Sequence, residues 1–223
     1  MEEQISPIRV AIVEDHDIFR KRLSELLHFY SELKLVIVAD SAEDFLTKTD
    51  KCTPEEQPDV VLMDIELPGI SGIDATFELQ RRKHPMDIIM FTVFEDDERI
   101  FDSIQVGASG YLLKDTPIDE VVNAIKEMKN GGSPITPSIG RRVFEMMRNK
   151  KQKADSEETP FDLTTAELKI LEQVIEGKTN NEIAETVFLS PWTVKTHIKN
   201  IYKKMHVHSR AAAVRLALKR NIG

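Results

Sequence analysis

A single cysteine and the lack of any long hydrophobic run restrict the class of protein. Cys52 has no partner for an intramolecular disulfide and no second sulfur for a zinc site, which fits a reducing compartment. No apolar run approaches the roughly 20 residues that cross a bilayer, and the first residues lack the basic stretch and apolar core of a signal peptide. We therefore expect a soluble, cytoplasmic protein that does not bind a membrane.

Acidic residues are absent from residues 191–223, although the whole chain carries a formal net charge of −8. Residues 161–223 contain ten Lys and Arg against six Asp and Glu, a net charge of +4, so the first 160 residues carry −12. This asymmetry predicts a basic binding surface attached to an acidic body. A solvated helix face is the alternative explanation for any single one of these basic residues.

The first half of the chain alternates short β-branched runs with longer stretches of helical spacing. The runs are continuously apolar, which is typical of strands buried on both faces of a parallel sheet. We predict strands at residues 8–13, 35–39, 60–64, 88–92 and 110–113, and helices at about 17–30, 42–50, 73–84, 96–107 and 117–129. Five such βα units indicate a doubly wound α/β domain with a five-stranded parallel sheet.

The second half shows only helical spacing. Glycine and proline within residues 131–134 end the βα pattern, and a short helix is predicted at 138–147. The charged segment 148–160 is almost devoid of apolar residues, which is typical of a linker. After it we predict four helices, one closed by Gly177 and three at about 180–187, 191–205 and 210–219. The predicted domains are residues 1–131, a linker at 132–160, and an all-α domain at 161–223.

Four of the predicted strands end at residues that can handle a phosphoryl group. These residues are Glu14 and Asp15, Asp64, Thr92 and Lys114. In a parallel sheet such strand ends share one edge, where ligands bind, so we expect the side chains to converge in one pocket. Crowded carboxylates repel one another unless a cation joins them, and Mg²⁺ prefers oxygen ligands of this kind. An aspartate carboxylate can also attack phosphorus to form an acyl phosphate.

The strand-end residues belong to a longer pattern over residues 8–130. Its markers are the pair Glu14-Asp15, the stretch 64–72 with Asp64, Pro68, Gly69 and Gly72, the lone Thr92, and Tyr111 three residues before Lys114. This pattern resembles the flavodoxin-like receiver domain of bacterial two-component response regulators. The resemblance implies that Asp64 accepts a phosphoryl group from a sensor histidine kinase, with Mg²⁺ as cofactor. It further implies roles for Glu14, Asp15, Asp64 and the Glu66 carbonyl at the metal, for Thr92 and Lys114 at the phosphoryl oxygens, and for Tyr111 in the switch.

The predicted helix at 191–205 is basic and amphipathic. Its predicted buried face consists of Val194, Ile198, Ile201 and Met205. The opposite face offers ammonium groups and a methyl group, which a helix needs in the major groove of DNA. These groups belong to Lys195, Thr196, Lys199 and Lys203. Lysines that are merely solvated remain the alternative on spacing alone.

A second long pattern covers residues 163–221. Its markers include Leu163-Thr164, Glu167, Gly177, Glu182-Ile183-Ala184, Thr193-Val194-Lys195, His197, Asn200-Ile201, Lys204 and Ser209-Arg210. This pattern resembles the LuxR-type helix-turn-helix, with 180–187 as the scaffold helix and 190–205 as the recognition helix. The implied DNA contacts are Lys195, Thr196 and Lys199 in the groove, and Thr193, Lys203 and Lys204 at phosphates.

A receiver followed by this module resembles the NarL/FixJ class of response regulators, which are transcription factors rather than enzymes. The resemblance implies a switch in which phosphorylation of Asp64 controls homodimer formation and binding to double-stranded promoter DNA. One alternative is a magnesium-dependent phosphohydrolase, but that enzyme needs a substrate-binding cap, and the short loops leave no insertion for it. The other alternative is a constitutive DNA-binding protein whose receiver serves only as a dimer or partner module.

Overall fold

The structure is a computed structural model that describes residues 6–153, 160–187, 189, 191–220 and 222, and only the backbone of residues 149–153, 160 and 192. The chain divides into two compact units, Met1–Met147 and Arg148–Gly223, which we describe separately. No helix in the described ranges is both long enough and apolar enough to cross a membrane.

One sheet of five parallel strands forms the centre of the first unit, as predicted. The strands are β1 (Ile8–Val13), β2 (Leu33–Ala39), β3 (Val60–Met63), β4 (Asp87–Thr92) and β5 (Gly110–Leu113). Their order is β2-β1-β3-β4-β5, the flavodoxin-like arrangement. β2 begins two residues before its predicted start because Leu33 is buried and pairs with Ile8 of β1.

Helices cover both faces of this sheet. They are α1 (Asp17–His28), α2 (Ala42–Lys51), α3 (Gly72–Arg81), α4 (Asp97–Gln105) and α5 (Ile118–Lys129). α1 and α5 pack on one face, where Leu27 and Ile125 are buried, and the remaining three pack on the other. α3 and α4 end before their predicted limits, because Lys83 and Gly107 have φ angles of 57° and 98°, in the left-handed region.

A sixth helix is longer than the sequence predicts. α6 runs over Pro137–Lys153, whereas the prediction ended at residue 147. The additional residues are mostly Arg, Lys and Gln, which favour helix even without an apolar face. Ile139 is buried in the core of the first unit, and Val143 and Met146 pack against it. Residues 154–159 of the predicted linker lie outside the described part of the chain.

After α6, the described residues form four further α-helices, as predicted. They are α7 (Thr165–Ile175), α8 (Asn180–Val187), α9 (Pro191–Lys204) and α10 (Arg210–Lys219). Their common core includes Leu171, Ile183, Val194 and Ala213. Gly177 follows the C-cap residue of α7 and has a φ angle of 87°, which explains why glycine closes this helix.

Candidate functional sites

Three carboxylates meet where the strand order reverses, between β1 and β3. Glu14 and Asp15 follow β1, and Asp64 follows β3. One carboxylate oxygen from each residue lies within 4.8 Å of the others. Glu14 and Asp64 are buried, whereas Asp15 is exposed. Glu66 is exposed and its carboxylate lies outside this cluster, so only its backbone carbonyl stays a predicted metal ligand.

Lys114 places an ammonium group between two of these acids. Its Nζ lies 2.6 Å from Glu14 Oε2 and 2.9 Å from Asp64 Oδ2. Burial raises the pKa of Glu14 even though Lys114 acts against this shift. Burial acts to lower the pKa of Lys114. Together, the hydrogen bonds to Glu14 and Asp64 have the larger effect, so the pKa of the ammonium group is raised.

The charges around Lys114 do not balance. With all four groups ionised, Glu14, Asp15, Asp64 and Lys114 carry a net charge of −2. A divalent cation with oxygen ligands would neutralise that charge, and Mg²⁺ typically binds one or two carboxylates together with phosphate oxygens. The donor set therefore fits Mg²⁺.

Backbone groups hold the two buried carboxylates in place. His16 N–H donates to Glu14 Oε1 over 3.1 Å, and Ile65 N–H donates to Asp64 Oδ1 over 2.7 Å. A Cβ atom at Gly72 would lie only 1.8 Å from the Asp64 carbonyl oxygen, so a side chain at this position would displace the loop after β3. His16 itself caps α1, because its Nδ1 accepts a hydrogen bond from Phe19 N–H.

Thr92, at the end of β4, is fully buried and has an unusual hydroxyl group. Its Oγ1 has no hydrogen-bond partner among the described residues. Its carbonyl oxygen accepts a hydrogen bond from Lys114 N–H at 2.9 Å, so the ends of β4 and β5 are joined beside the acids. A buried hydroxyl without a partner costs roughly 1 to 3 kcal/mol, and an incoming oxygen ligand would remove that cost.

Tyr111, in β5, is buried and bonded at both its side chain and its backbone. Its hydroxyl donates to the Phe94 carbonyl oxygen in the loop after β4, over 2.9 Å. Burial raises the pKa of this hydroxyl, so it stays protonated and able to donate. Its backbone N–H donates to Pro134 O over 2.9 Å and its carbonyl accepts from Thr136 N–H over 3.0 Å. The segment that leads into α6 is therefore hydrogen-bonded directly to Tyr111, a contact that no sequence pattern predicts.

Arg20 is a second group that sequence reasoning missed. Its Nη1 donates to the carbonyl oxygens of Glu14 and Asp15, over 2.7 and 3.1 Å, and its Nη2 donates to Asp17 Oδ1 over 2.8 Å. The only signal in the sequence is an arginine in the first turn of the helix that follows the acidic pair.

In the second unit, α9 has the predicted two faces. The predicted apolar residues are buried: Val194, Ile198, Ile201 and Met205. Lys195, Lys199 and Lys203 are exposed and follow one another at intervals of four, which places them along one side of the helix. Thr193 and Thr196 are partly buried.

Lys204 faces a different environment from these three lysines. Its Nζ lies 2.6 Å from Glu167 Oε2. Glu167 is buried and forms a capping box at the start of α7, in which Thr164 N–H donates to the same oxygen over 2.8 Å. A phosphate contact for Lys204 stays a prediction, and this ion pair gives the residue a structural role as well.

Comparisons with known proteins give matches for both units. The family described as response regulator receiver domain matches residues 10–126, and the family described as bacterial regulatory proteins, luxR family, matches residues 162–217. The transcriptional regulatory protein LnrK of Bacillus subtilis (strain 168) is 34% identical over 211 residues, which cover 92% of this chain and 94% of LnrK.

Two further proteins match almost the whole chain. The oxygen regulatory protein NreC of Staphylococcus carnosus (strain TM300) is 33% identical over 218 residues, which cover 96% of this chain and 99% of NreC. The crystal structure of the response regulator ChrA, from a heme-sensing two-component system, aligns with a TM-score of 0.51 and 27% identity, covering 98% of this chain and 100% of ChrA.

Proposed function

The chain belongs to the NarL/FixJ class of two-component response regulators, transcription regulators that join a receiver domain to a LuxR-type helix-turn-helix, and on this basis we propose that phosphorylation of Asp64 controls its binding to DNA. The observation that carries this proposal is the bond of Lys114 to both Glu14 and Asp64 inside a cluster that still has an excess negative charge. Such a site can neutralise the charge of a phosphoryl group only together with a cation.

The reaction is a substitution at phosphorus. With acetyl phosphate as donor, an Asp64 carboxylate oxygen forms a bond to phosphorus while the bond from phosphorus to the acetyl oxygen breaks, and acetate leaves with the electron pair. Lys114 then moves its bond from the attacked carboxylate to the phosphoryl oxygens. The Thr92 hydroxyl, which has no partner among the described residues, donates to another phosphoryl oxygen. Positioning and charge neutralisation supply most of the catalysis in phosphoryl transfer.

The residues proposed to hold Mg²⁺ are Asp15, Asp64 and the backbone carbonyl of Glu66, with Glu14 bound through a water molecule. When bound, the metal neutralises the charge that these acids and the phosphoryl oxygens share. Lys114 completes the neutralisation from the side of β5. In the cell, a sensor histidine kinase is the proposed phosphoryl donor, and the cytoplasm is the proposed location.

In the proposed switch, Tyr111 transmits the conformational change from the phosphorylation site to α6. When Thr92 moves towards the phosphoryl group, the loop after β4 moves with it, and this loop carries the Phe94 carbonyl to which Tyr111 is bonded. Tyr111 also shares two backbone hydrogen bonds with residues 134–136, which lead directly into α6. Arg142 Nη1 of α6 lies 3.3 Å from Asp97 Oδ1 at the start of α4. This ion pair is a second link between α6 and the segment that follows β4.

The output is DNA binding by a homodimer. The groove contacts are assigned to Lys195, Thr196 and Lys199 of α9, and the phosphate contacts to Thr193 and Lys203. Lys204 would reach a phosphate only by leaving its ion pair with Glu167. In the NarL/FixJ class the last helix commonly forms the dimer contact between DNA-binding domains, so we assign this contact to α10. A change from mostly inactive to mostly active protein requires about 5.5 kcal/mol of differential stabilisation, so partial DNA binding without phosphate is expected.

The test compares DNA binding with and without phosphorylation. Duplexes are enriched from a random-sequence library with the full-length protein, and their affinity is measured by fluorescence anisotropy before and after treatment with Mg²⁺ and acetyl phosphate. Treatment is expected to tighten binding by the wild type and to leave Asp64→Asn unchanged. Equal affinities for treated and untreated wild type would favour the constitutive DNA-binding protein instead.

A further inference from the structure

The loop between β1 and α1 is fastened by the side chain of Arg20. One guanidinium nitrogen donates to the carbonyl oxygens of both Glu14 and Asp15, and the other donates to the Asp17 carboxylate. The arginine side chain is only 16% exposed, and its bond to the Glu14 carbonyl is partly buried, whereas its bonds to Asp15 and Asp17 are exposed. Its rigid, planar fork therefore connects the backbone of the acidic pair to the first residue of α1.

The contacts of Arg20 differ from those of Lys114. Lys114 binds the carboxylates of Glu14 and Asp64, which are the oxygens that a metal would use. The recorded bonds of Arg20 to the acidic pair go to backbone carbonyls, so the guanidinium fixes the position of the pair without occupying its side-chain oxygens.

We propose that Arg20 is a positioning residue of the metal site, which tightens Mg²⁺ binding by fixing the backbone of Glu14 and Asp15. This inference rests on the proposed function, because it assumes that the acidic cluster binds Mg²⁺. Residues that do not contact the metal but orient its ligands typically matter for affinity: their removal weakens metal binding by about 10- to 100-fold.

Electrostatics alone makes the opposite prediction. Arg20 carries a positive charge beside the site, and a positive charge repels Mg²⁺. If Arg20 acted only through its charge, its removal would tighten Mg²⁺ binding. If it acts by positioning the loop, its removal weakens Mg²⁺ binding, and a lysine that keeps the charge but lacks the fork does not restore it. The sign of the change therefore separates the two roles.

Lys21 provides a matched control. It is the next residue on α1, it carries the same charge, and its Nζ lies 2.8 Å from the second carboxylate oxygen of Asp17. Its side chain is 71% exposed, and the contact recorded for its ammonium group is this exposed ion pair. Lys21→Gln removes a charge beside the same loop and leaves the bonds from Arg20 to the two carbonyls in place.

The experiment measures the Mg²⁺ dissociation constant of the full-length protein by isothermal titration calorimetry. Arg20→Gln and Arg20→Lys are both expected to bind Mg²⁺ on the order of tenfold more weakly than the wild type, and Lys21→Gln within about twofold of it. Thermal unfolding in the presence of a chelator checks that each variant is folded. Arg20→Lys serves as the milder substitution if Arg20→Gln does not fold.

Three results would overturn the inference. Tighter Mg²⁺ binding by Arg20→Gln would leave Arg20 with a charge effect only, and unchanged binding would leave it with no net effect on the metal; in both cases the proposed metal site would stand. Full affinity in Arg20→Lys would show that the fork is not needed. A wild type that does not bind Mg²⁺ at all would remove the proposed metal site together with this inference.

Discussion

Two lysines in this protein bind a buried glutamate at the same distance, one in each domain. In the receiver, Lys114 Nζ lies 2.6 Å from Glu14 Oε2, and in the helix-turn-helix domain Lys204 Nζ lies 2.6 Å from Glu167 Oε2. The glutamate side chains are 2% and 5% exposed. By distance and by burial of the glutamate, the two ion pairs are almost the same, although Lys204 is 35% exposed and Lys114 only 14%.

The two ion pairs differ in their surroundings. Lys114 also binds Asp64, and Asp15 lies beside both acids, so the receiver cluster retains a charge of −2. The Lys204 pair is neutral, and its glutamate oxygen also accepts the Thr164 N–H of the capping box. An excess of charge therefore distinguishes a site that is prepared for a ligand from a pair that fastens two helices. The ion-pair distance carries no such information.

Removal of Lys114 should have the largest effect on stability. Lys114→Met leaves two buried acids without their cation, so the receiver should lose about 3 to 5 kcal/mol in metal-free buffer. Added Mg²⁺ should restore part of this loss, because it supplies the missing positive charge. Scanning calorimetry of the receiver transition measures both effects. Lys126→Met, which breaks an exposed ion pair with Glu32, is the control and should cost less than about 1 kcal/mol.

Removal of Lys204 should have a smaller effect that does not depend on Mg²⁺. Lys204→Met removes one partner of Glu167, whose carboxylate keeps its bond from Thr164 N–H, so we expect a loss of about 1 to 3 kcal/mol in the helix-turn-helix transition. The neighbouring exposed Lys203 gives the matched variant Lys203→Met, which should change stability by at most about 0.5 kcal/mol. If the two variants were equally stable, the structural role of Lys204 would be refuted.

Lys203 and Lys204 should also differ in how they affect the salt dependence of DNA binding. A lysine that contacts phosphate contributes about 0.9 to the slope of log affinity against log salt concentration. Lys203→Gln should reduce the slope by about this amount for each protomer bound, whereas Lys204→Gln should leave it unchanged because Glu167 holds the ammonium group. Anisotropy titrations on one duplex at several salt concentrations measure both slopes. An equal reduction in both variants would assign Lys204 to a phosphate after all.

The smallest predicted effect is a pH dependence of receiver stability, which arises from Glu14 in its ion pair with Lys114. Burial raises the pKa of Glu14 above its ordinary value of 4.5, so the folded receiver binds the proton more tightly than the unfolded chain does. This contribution to stability is fully present below pH 4.5 and is lost as the pH rises through the raised pKa. The stability of the wild type should therefore fall relative to Glu14→Gln as the pH rises through this range in metal-free buffer. Parallel stability curves for the two proteins would contradict the excess-charge explanation.

Much of the architecture follows from sequence periodicity. The five strands, their parallel arrangement and the helix bounds of α8 and α10 agree with the prediction, because buried strands and amphipathic helices leave strong local patterns. α6 departs furthest from its predicted bounds. Its charged second half lacks an apolar face, and the pattern therefore underestimated a helix that good helix-forming residues sustain.

The members of the receiver cluster could be predicted because the sheet topology brings strand ends together. The contacts of Arg20 and residues 134–136 could not, because they involve backbone carbonyls and amides that any sequence possesses. The ion pair of Lys204 could not be predicted either, because the sequence pattern of a basic helix is the same whether a lysine contacts DNA or a buried glutamate.

The most direct test of the central claim is the intact mass of the full-length protein after incubation with Mg²⁺ and acetyl phosphate. We predict a single phosphoryl adduct on the wild type and none on Asp64→Asn. An adduct of equal yield on Asp64→Asn, or no adduct on the wild type with either acetyl phosphate or a histidine kinase as donor, would contradict the assignment of Asp64 as the phosphoacceptor.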